Sequence, residues 1–233
     1  MTRAFREQSV SILPECVCRH LGKFAPCTSG MPPHRRSWKP CIGHCEIIWE
    51  IAEQLLERFA GDIDGELVGA GFLLHDVGVY RVIDGAGSPD RRNYVRHGLL
   101  GHQILRSEGF PEALRRFCSC HTGVGLTRND VIRQRLPLPV ADHLAVTAEE
   151  RLVMYADKFH SKTTPPTFLT AHACAAHVRR FGEDEVEAFG ALRERFGVPD
   201  VTALAGAHGQ GVQEWRTGSD RRGPATREPD VSV

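Results

Sequence analysis

Residues 64–78 read Asp64-Gly-Glu-Leu-Val-Gly-Ala-Gly-Phe-Leu-Leu-His-Asp-Val-Gly78. Asp64 suits a helix N-cap, because a short carboxylate can accept hydrogen bonds from the free N–H groups of a first turn. Leu67, Ala70, Gly71 and Leu74 then recur at helical spacing, and Gly78 is a stop signal. His75 falls four residues after Gly71 and eight after Leu67, which puts its imidazole on the inner face, with Asp76 beside it at the helix end. A buried carboxylate is costly unless it is paired or coordinated to a metal, so this turn asks for a partner.

Working outward, the same period recurs. Ile47, Ile48, Ile51, Ala52, Leu55, Leu56 and Phe59 make an apolar stripe. A helix is expected over 97–108, stopped by Gly109, and another from Pro111 through Leu114, Phe117 and Cys118. Thr147-Ala148-Glu149-Glu150 is a capping box opening a helix through Leu152, Val153, Ala156 and Phe159. Two more are expected over 171–181 and 183–196, the last closed by Gly197 before Pro199. No alternating strand pattern and no internal repeat stands out. The expectation is an all-α domain, a helical bundle.

The chain has 233 residues, 41% hydrophobic and 25% charged, enough for a real core. Lys+Arg and Asp+Glu both count 29, a balance that argues against a general nucleic-acid coat. No run of about 18 apolar residues suggests a membrane span. The opening Met-Thr-Arg-Ala-Phe-Arg-Glu has no apolar block behind its charges, so a soluble, cytoplasmic protein is expected. Residues 1–40, with Pro14, Pro26, Gly30, Pro32, Pro33 and Pro40, read as an irregular extension, 41–208 as the helical body, and 209–233 as a disordered tail. Eight cysteines read as reduced, mostly buried thiols. A zinc knot from Cys16, Cys18, Cys27, Cys41 and Cys45 is the alternative, but the Cys16-x-Cys18 spacing is too tight for it.

Five of the expected helices carry a metal-competent group on the buried face: His44, His75 with Asp76, His97, His121 and Asp157. One shared metal site accounts for all six, whereas separately satisfied polar cores require several coincidences. Nitrogen and oxygen donors without thiolate suit Mn, Fe, Co, Ni or Zn. Six ligands exceed what one catalytic ion with an open position takes, so two ions are expected, with Asp76 as the bridging carboxylate.

His44, His75-Asp76 and Asp157 resemble the H…HD…D signature of the HD-domain metal-dependent phosphohydrolases. Leu73-Leu74-His75-Asp76-Val77-Gly78 is similar to that family's LLHDIG stretch, and Tyr155-Ala156-Asp157-Lys158 to its last-ligand helix. His97 in His97-Gly-Leu-Leu-Gly101 and His121 in His121-Thr-Gly resemble the two-metal subset. The resemblance covers about 41–162. It implies hydrolysis of a small, nucleotide-like phosphate ester by a metal-activated hydroxide that Asp76 orients as the catalytic carboxylate. Many relatives carry a lysine where this chain has Val79. Lys158, adjacent to Asp157, and Arg81 are the candidate phosphate contacts, with Arg91, Arg92 and Lys162 behind them. His160 is a candidate supporting residue, His102 is expected to face away, and His143, His172, His177 and His208 carry no argument. The resemblance also implies two alternatives: a mixed-valent di-iron oxygenase on the same ligand set, and a nucleotide-binding sensor without catalysis.

Overall fold

A computed structural model describes residues 39–58, 63–83, 90–163 and 165–214. The helices are α1 (Lys39–Leu56), α2 (Gly65–Leu74), α3 (His97–Ser107), α4 (Glu112–Ser119), α5 (Arg128–Arg133), α6 (Ala148–Asp157), α7 (Ala171–Val178), α8 (Glu183–Phe196) and α9 (Val201–His208). One-turn 3-10 helices at Val79–Val82 and Tyr94–Arg96 link α2 to α3. The all-α expectation holds, and none of these helices is long and apolar enough to cross a membrane.

Local chemistry sets the helix ends. The Asp64 carboxylate accepts from the main-chain N–H of Glu66 and Leu67 at 3.0 and 3.1 Å, as an N-cap should. At the start of α6, the Thr147 hydroxyl accepts from Glu150 N at 3.1 Å while the Glu150 carboxylate accepts from Thr147 N at 3.3 Å. That same carboxylate, almost fully buried, takes two bonds from the Arg116 guanidinium at 2.6 and 3.0 Å, tying α4 to the start of α6.

The core gathers Ile48, Ile51 and Leu55 of α1, Phe72 of α2, Phe117 of α4, Leu152 and Tyr155 of α6, and Phe189 and Phe196 of α8. Burying each such side chain is worth about 1.5–3 kcal/mol. On the far side of α2 the packing is closer still. A Cβ placed on Gly78 would lie 2.0 Å from the His97 carbonyl oxygen, and one on Gly98 would lie 2.5 Å from the Cys118 carbonyl oxygen. Backbone-to-backbone approach therefore draws the turn after α2, the first turn of α3 and the end of α4 together.

Three features depart from the sequence reading. Helices α5 and α9, six and eight residues long, lie where no helix was expected. A small sheet of β1 (His160–Ser161), β2 (Thr167–Leu169) and β3 (Gly211–Gln213) pairs β1 with β2 antiparallel and β2 with β3 parallel. Third, residues 209–214, read as the start of a disordered tail, are ordered here: Gly209 ends α9 in the left-handed region (φ 62°) and β3 pairs with β2. A three-residue strand is too short to carry a readable alternation. The side chains of Cys16, Cys18, Cys27 and Cys41 in the postulated knot, Phe59 of the α1 stripe, the extension up to residue 38 and the tail from residue 215 lie outside the described residues, while Cys45 is buried.

Candidate metal centre

Each element delivers its donor for a local reason. His44 lies on the buried face of α1, His75 and Asp76 form the turn that ends α2, and His97 opens α3. His121 follows the end of α4, and Asp157 is the last residue of α6. His44, His75, Asp76, His97 and His121 are at most 3% exposed, and the Asp157 side chain 10%.

The structure brings all six together. His44 Nε2 lies 2.9 Å from Asp157 Oδ1, and His75 Nε2 lies 3.6 Å from that oxygen and 3.5 Å from Asp76 Oδ2. Asp76 Oδ1 is 3.5 Å from both His97 Nε2 and His121 Nε2. Two overlapping donor groups result: His44, His75 and Asp157, and His75, Asp76 and His121.

The outer edges of the rings decide what the inner edges offer. His75 Nδ1 donates to the Phe72 carbonyl at 2.8 Å, His97 Nδ1 to the Tyr94 carbonyl at 2.7 Å, and His121 Nδ1 to the Cys118 carbonyl at 2.7 Å. A carbonyl only accepts, so in the neutral rings each Nδ1 carries the hydrogen and each Nε2 presents a lone pair to the cluster, the tautomer a metal ligand needs. His97 Nε2 and His121 Nε2 then face each other at 2.9 Å, two acceptors with no proton between them. Among the described residues His75 Nε2 is buried without a hydrogen-bond partner, and it lies 3.5 Å from the Asp76 carboxylate. Such groups are costly in a dry interior. A cation facing all of them removes the cost, so the donor set fits divalent metal.

Electrostatics agree. Burial pushes His44 down to about 3, with the Lys162 ammonium acting in the same direction, and burial together with His121 does the same for His97. His121 is lowered by burial. Burial alone would raise Asp76, but Lys162 and His75 hold it well below the carboxylate range; Lys158 and His44 do the same for Asp157. Burial lowers His75, yet Asp76 and Asp157 outweigh it and the net direction is up: the space between the two carboxylates favours positive charge. Neutral imidazoles and ionised carboxylates are the forms that bind metal.

Lysines close the rim. Lys158 Nζ donates to Asp157 Oδ2 at 2.9 Å and to the His121 carbonyl at 3.3 Å. Lys162, which the sequence reading ranks behind Lys158, reaches Asp76 Oδ2 directly from the loop after β1. Arg81 instead lines a cleft of about 320 Å³ with Val82, Ile83, Asp90, Asn93, Arg96 and Leu100. Arg91 and Arg92 are exposed.

The remaining histidines sort by partner. His102 sits between Ser119 and Glu112, His143 bonds the Pro139 carbonyl and His208 bonds Glu50, none of them among the donors. His160 stands behind His44, its Nδ1 2.8 Å from His44 Nδ1, and its Nε2 donates to Gln210 Oε1 at 2.9 Å. Gln210 carries no signal in the sequence, since nothing in its neighbourhood marks it.

The HD domain family profile matches residues 41–162, the span that carries every one of these donors. The chain belongs to the HD-domain family. An uncharacterized protein of Methanocaldococcus jannaschii is 35% identical over 119 residues, covering 50% of this chain and 63% of that protein. A tRNA (cytidine(56)-2'-O)-methyltransferase of Picrophilus torridus is 32% identical over 120 residues, covering 52% of this chain and 31% of that protein. The HD-domain chain thus spans less than two thirds of these relatives' length. Among solved structures, the HD domain of the L. monocytogenes phosphodiesterase PgpH aligns with a TM-score of 0.46 at 14% identity, covering 76% of this chain and 99% of that one. The same domain in complex with cyclic-di-AMP aligns with a TM-score of 0.45.

Proposed function

We propose that this HD domain is a metal-dependent phosphohydrolase acting on a small, nucleotide-like phosphate ester. The observation that carries the reading is the set of inward-facing acceptors, His75 Nε2 and the opposed His97 and His121 nitrogens around the ionised Asp76 carboxylate, at the centre of a buried cluster. His44, His75 and Asp157 would hold one divalent ion, and Asp76, His97 and His121, with His75 close by, a second. Ions bound there supply Lewis-acid polarisation of phosphoryl oxygens and a water acidic enough to attack phosphorus near neutral pH.

The chain's own residues do the rest. Asp76 and Asp157 cancel against Lys162 and Lys158, so a divalent ion leaves the centre net positive, the sign a phosphate ester requires. The Asp76 carboxylate, held ionised, would orient the attacking water by accepting a hydrogen bond from it. Lys162 lies at the rim, 23% exposed, where its ammonium can pass from Asp76 to a phosphate oxygen of the substrate. The three carbonyl-anchored histidines hold the donors rigid while the ester binds.

The test is phosphate release across a panel of nucleotides and dinucleoside polyphosphates after reconstitution with Mn(II), with Asp76→Ala in parallel. Turnover that disappears in the variant supports the proposal. Silence across the panel, with O2 consumption after Fe(II) loading, would replace it with an oxygenase on the same donors.

A further inference from the structure

Three of the four histidines in the centre have Nδ1 fixed by a main-chain carbonyl, but His44 Nδ1 faces another imidazole, that of His160, at 2.8 Å. The two rings lie 5.1 Å apart between centroids and 25° from parallel. A hydrogen bond between two ring nitrogens needs one donor and one acceptor, so the proton on His44 is set by whatever fixes His160. That group is Gln210, whose Oε1 lies 2.9 Å from His160 Nε2.

The chain of consequences is short. The Gln210 carbonyl oxygen only accepts, so the neutral His160 carries its hydrogen on Nε2 and presents Nδ1 as a lone pair. His44 Nδ1 must then donate, which leaves His44 Nε2 bare, 2.9 Å from Asp157 Oδ1, two acceptors whose approach only a cation facing both would offset. With an amide donor facing His160, each step inverts: His44 would carry its hydrogen on Nε2, give it to Asp157 and close the position to a metal. We infer that His160 and Gln210 are positioning residues that hold His44 in its ligating tautomer. The inference rests on the metal-centre reading and deepens it.

The fold builds Gln210 for this place. Gly209 ends α9 with φ 62°, and Gln210 N donates to the Ala205 carbonyl at 2.9 Å, the closing bond of a left-handed helix cap. β3 then begins at Gly211 and pairs with β2, whose Phe168 stands opposite His160 in β1. The segment beyond α9 therefore reaches the metal donors through one imidazole.

The experiment compares the full chain with Gln210→Met, which keeps bulk and removes the acceptor, and His160→Phe, which keeps a ring against Phe168 and removes the nitrogens. The ring ¹⁵N–¹H correlations of the metal-free protein and equilibrium binding of Mn(II) are measured for each. The expected result is a shift of the His44 hydrogen from Nδ1 toward Nε2 in Gln210→Met, and Mn(II) affinity weaker by about 10–100-fold in both variants. Unchanged affinity together with an unchanged His44 tautomer in Gln210→Met would overturn the relay. Wild-type protein that binds no Mn(II) would overturn the metal-centre reading alone, because the His44 tautomer and its response to Gln210→Met still decide the relay.

Discussion

Asp76 is the residue on which most of the centre's contacts converge: His75, His97, His121 and Lys162 all stand around its carboxylate. Asp76→Ala and His75→Ala are expected to lose metal and to reduce turnover by about a thousandfold or more, since a metal Lewis acid is worth several kcal/mol of transition-state stabilisation. The far-UV circular dichroism should stay native, because neither side chain packs in the apolar core. Full metal occupancy in both variants would refute the assignment. Lys162→Met should act differently, raising KM for the phosphate substrate about tenfold with a smaller change in kcat, the loss of roughly 1.4 kcal/mol of binding. An unchanged KM would remove Lys162 from the substrate's path. The burial of the six candidate donors was legible in the sequence because helical spacing tells which face a residue occupies, and their grouping because the H…HD…D pattern resembles the HD-domain signature. The ranking of Lys158 over Lys162 was not: sequence adjacency to Asp157 counts for less than the path of the loop after β1, which brings Lys162 back onto Asp76.

Between elements, glycine shows how far local reading reaches. Gly78 reads as a helix stop, yet its φ is −80°, an angle any residue adopts. What requires glycine there is space, since a Cβ would meet the His97 carbonyl at 2.0 Å and Gly101 N at 2.4 Å. Both obstacles are backbone, so Gly78→Ala must push α3, and with it His97, away from Asp76. A loss of about 1–3 kcal/mol of stability, the usual range for overpacking, is expected in urea titration, together with weakened Mn(II) binding. Gly206 within α9 is the contrast, exposed and with nothing among the described residues within 4 Å of an added Cβ. Gly206→Ala should raise stability by about 0.5–1 kcal/mol through helix propensity alone. Equal effects at the two positions would refute the packing argument. No spacing rule exposes the Gly78 contact, because its partner lies in another helix; the sheet formed by β1, β2 and β3 left no trace in the hydrophobic pattern either, because its strands are two or three residues long and β3 pairs with β2 from more than forty residues away.

For the molecule as a whole, the centre makes stability depend on pH in a definable direction. His44 and His97 drop to about 3 in the folded protein from 6.5, and His121 and His160 are also lowered, all chiefly by burial. Below pH 6.5 the unfolded chain binds protons at these histidines that the folded protein refuses, so stability falls as pH falls. Asp76 and Asp157, depressed below 3.8 by their lysine and histidine neighbours, add a further loss below pH 4. His75, raised by the same two carboxylates, acts the other way: its contribution is present below 6.5 and is lost as pH rises through its folded value. Four lowered histidines against one raised leave the net slope positive with pH. Each proton excluded from the folded state is worth about 1.4 kcal/mol per pH unit, so the metal-free protein should weaken steeply between pH 6.5 and 4. Divalent metal needs the same imidazoles unprotonated, so saturating Mn(II) should add stability near neutral pH, about 2.7 kcal/mol at a hundred times Kd, and lose that gain as protons compete for the ligands. Urea titrations at pH 7, 6 and 5, each with EDTA and with Mn(II), measure both effects. Metal-free stability that stays level or rises on acidification would mean that the four histidines are not held neutral by burial. A Mn(II) gain that is the same at pH 5 as at pH 7 would mean that the ion binds elsewhere than at these imidazoles.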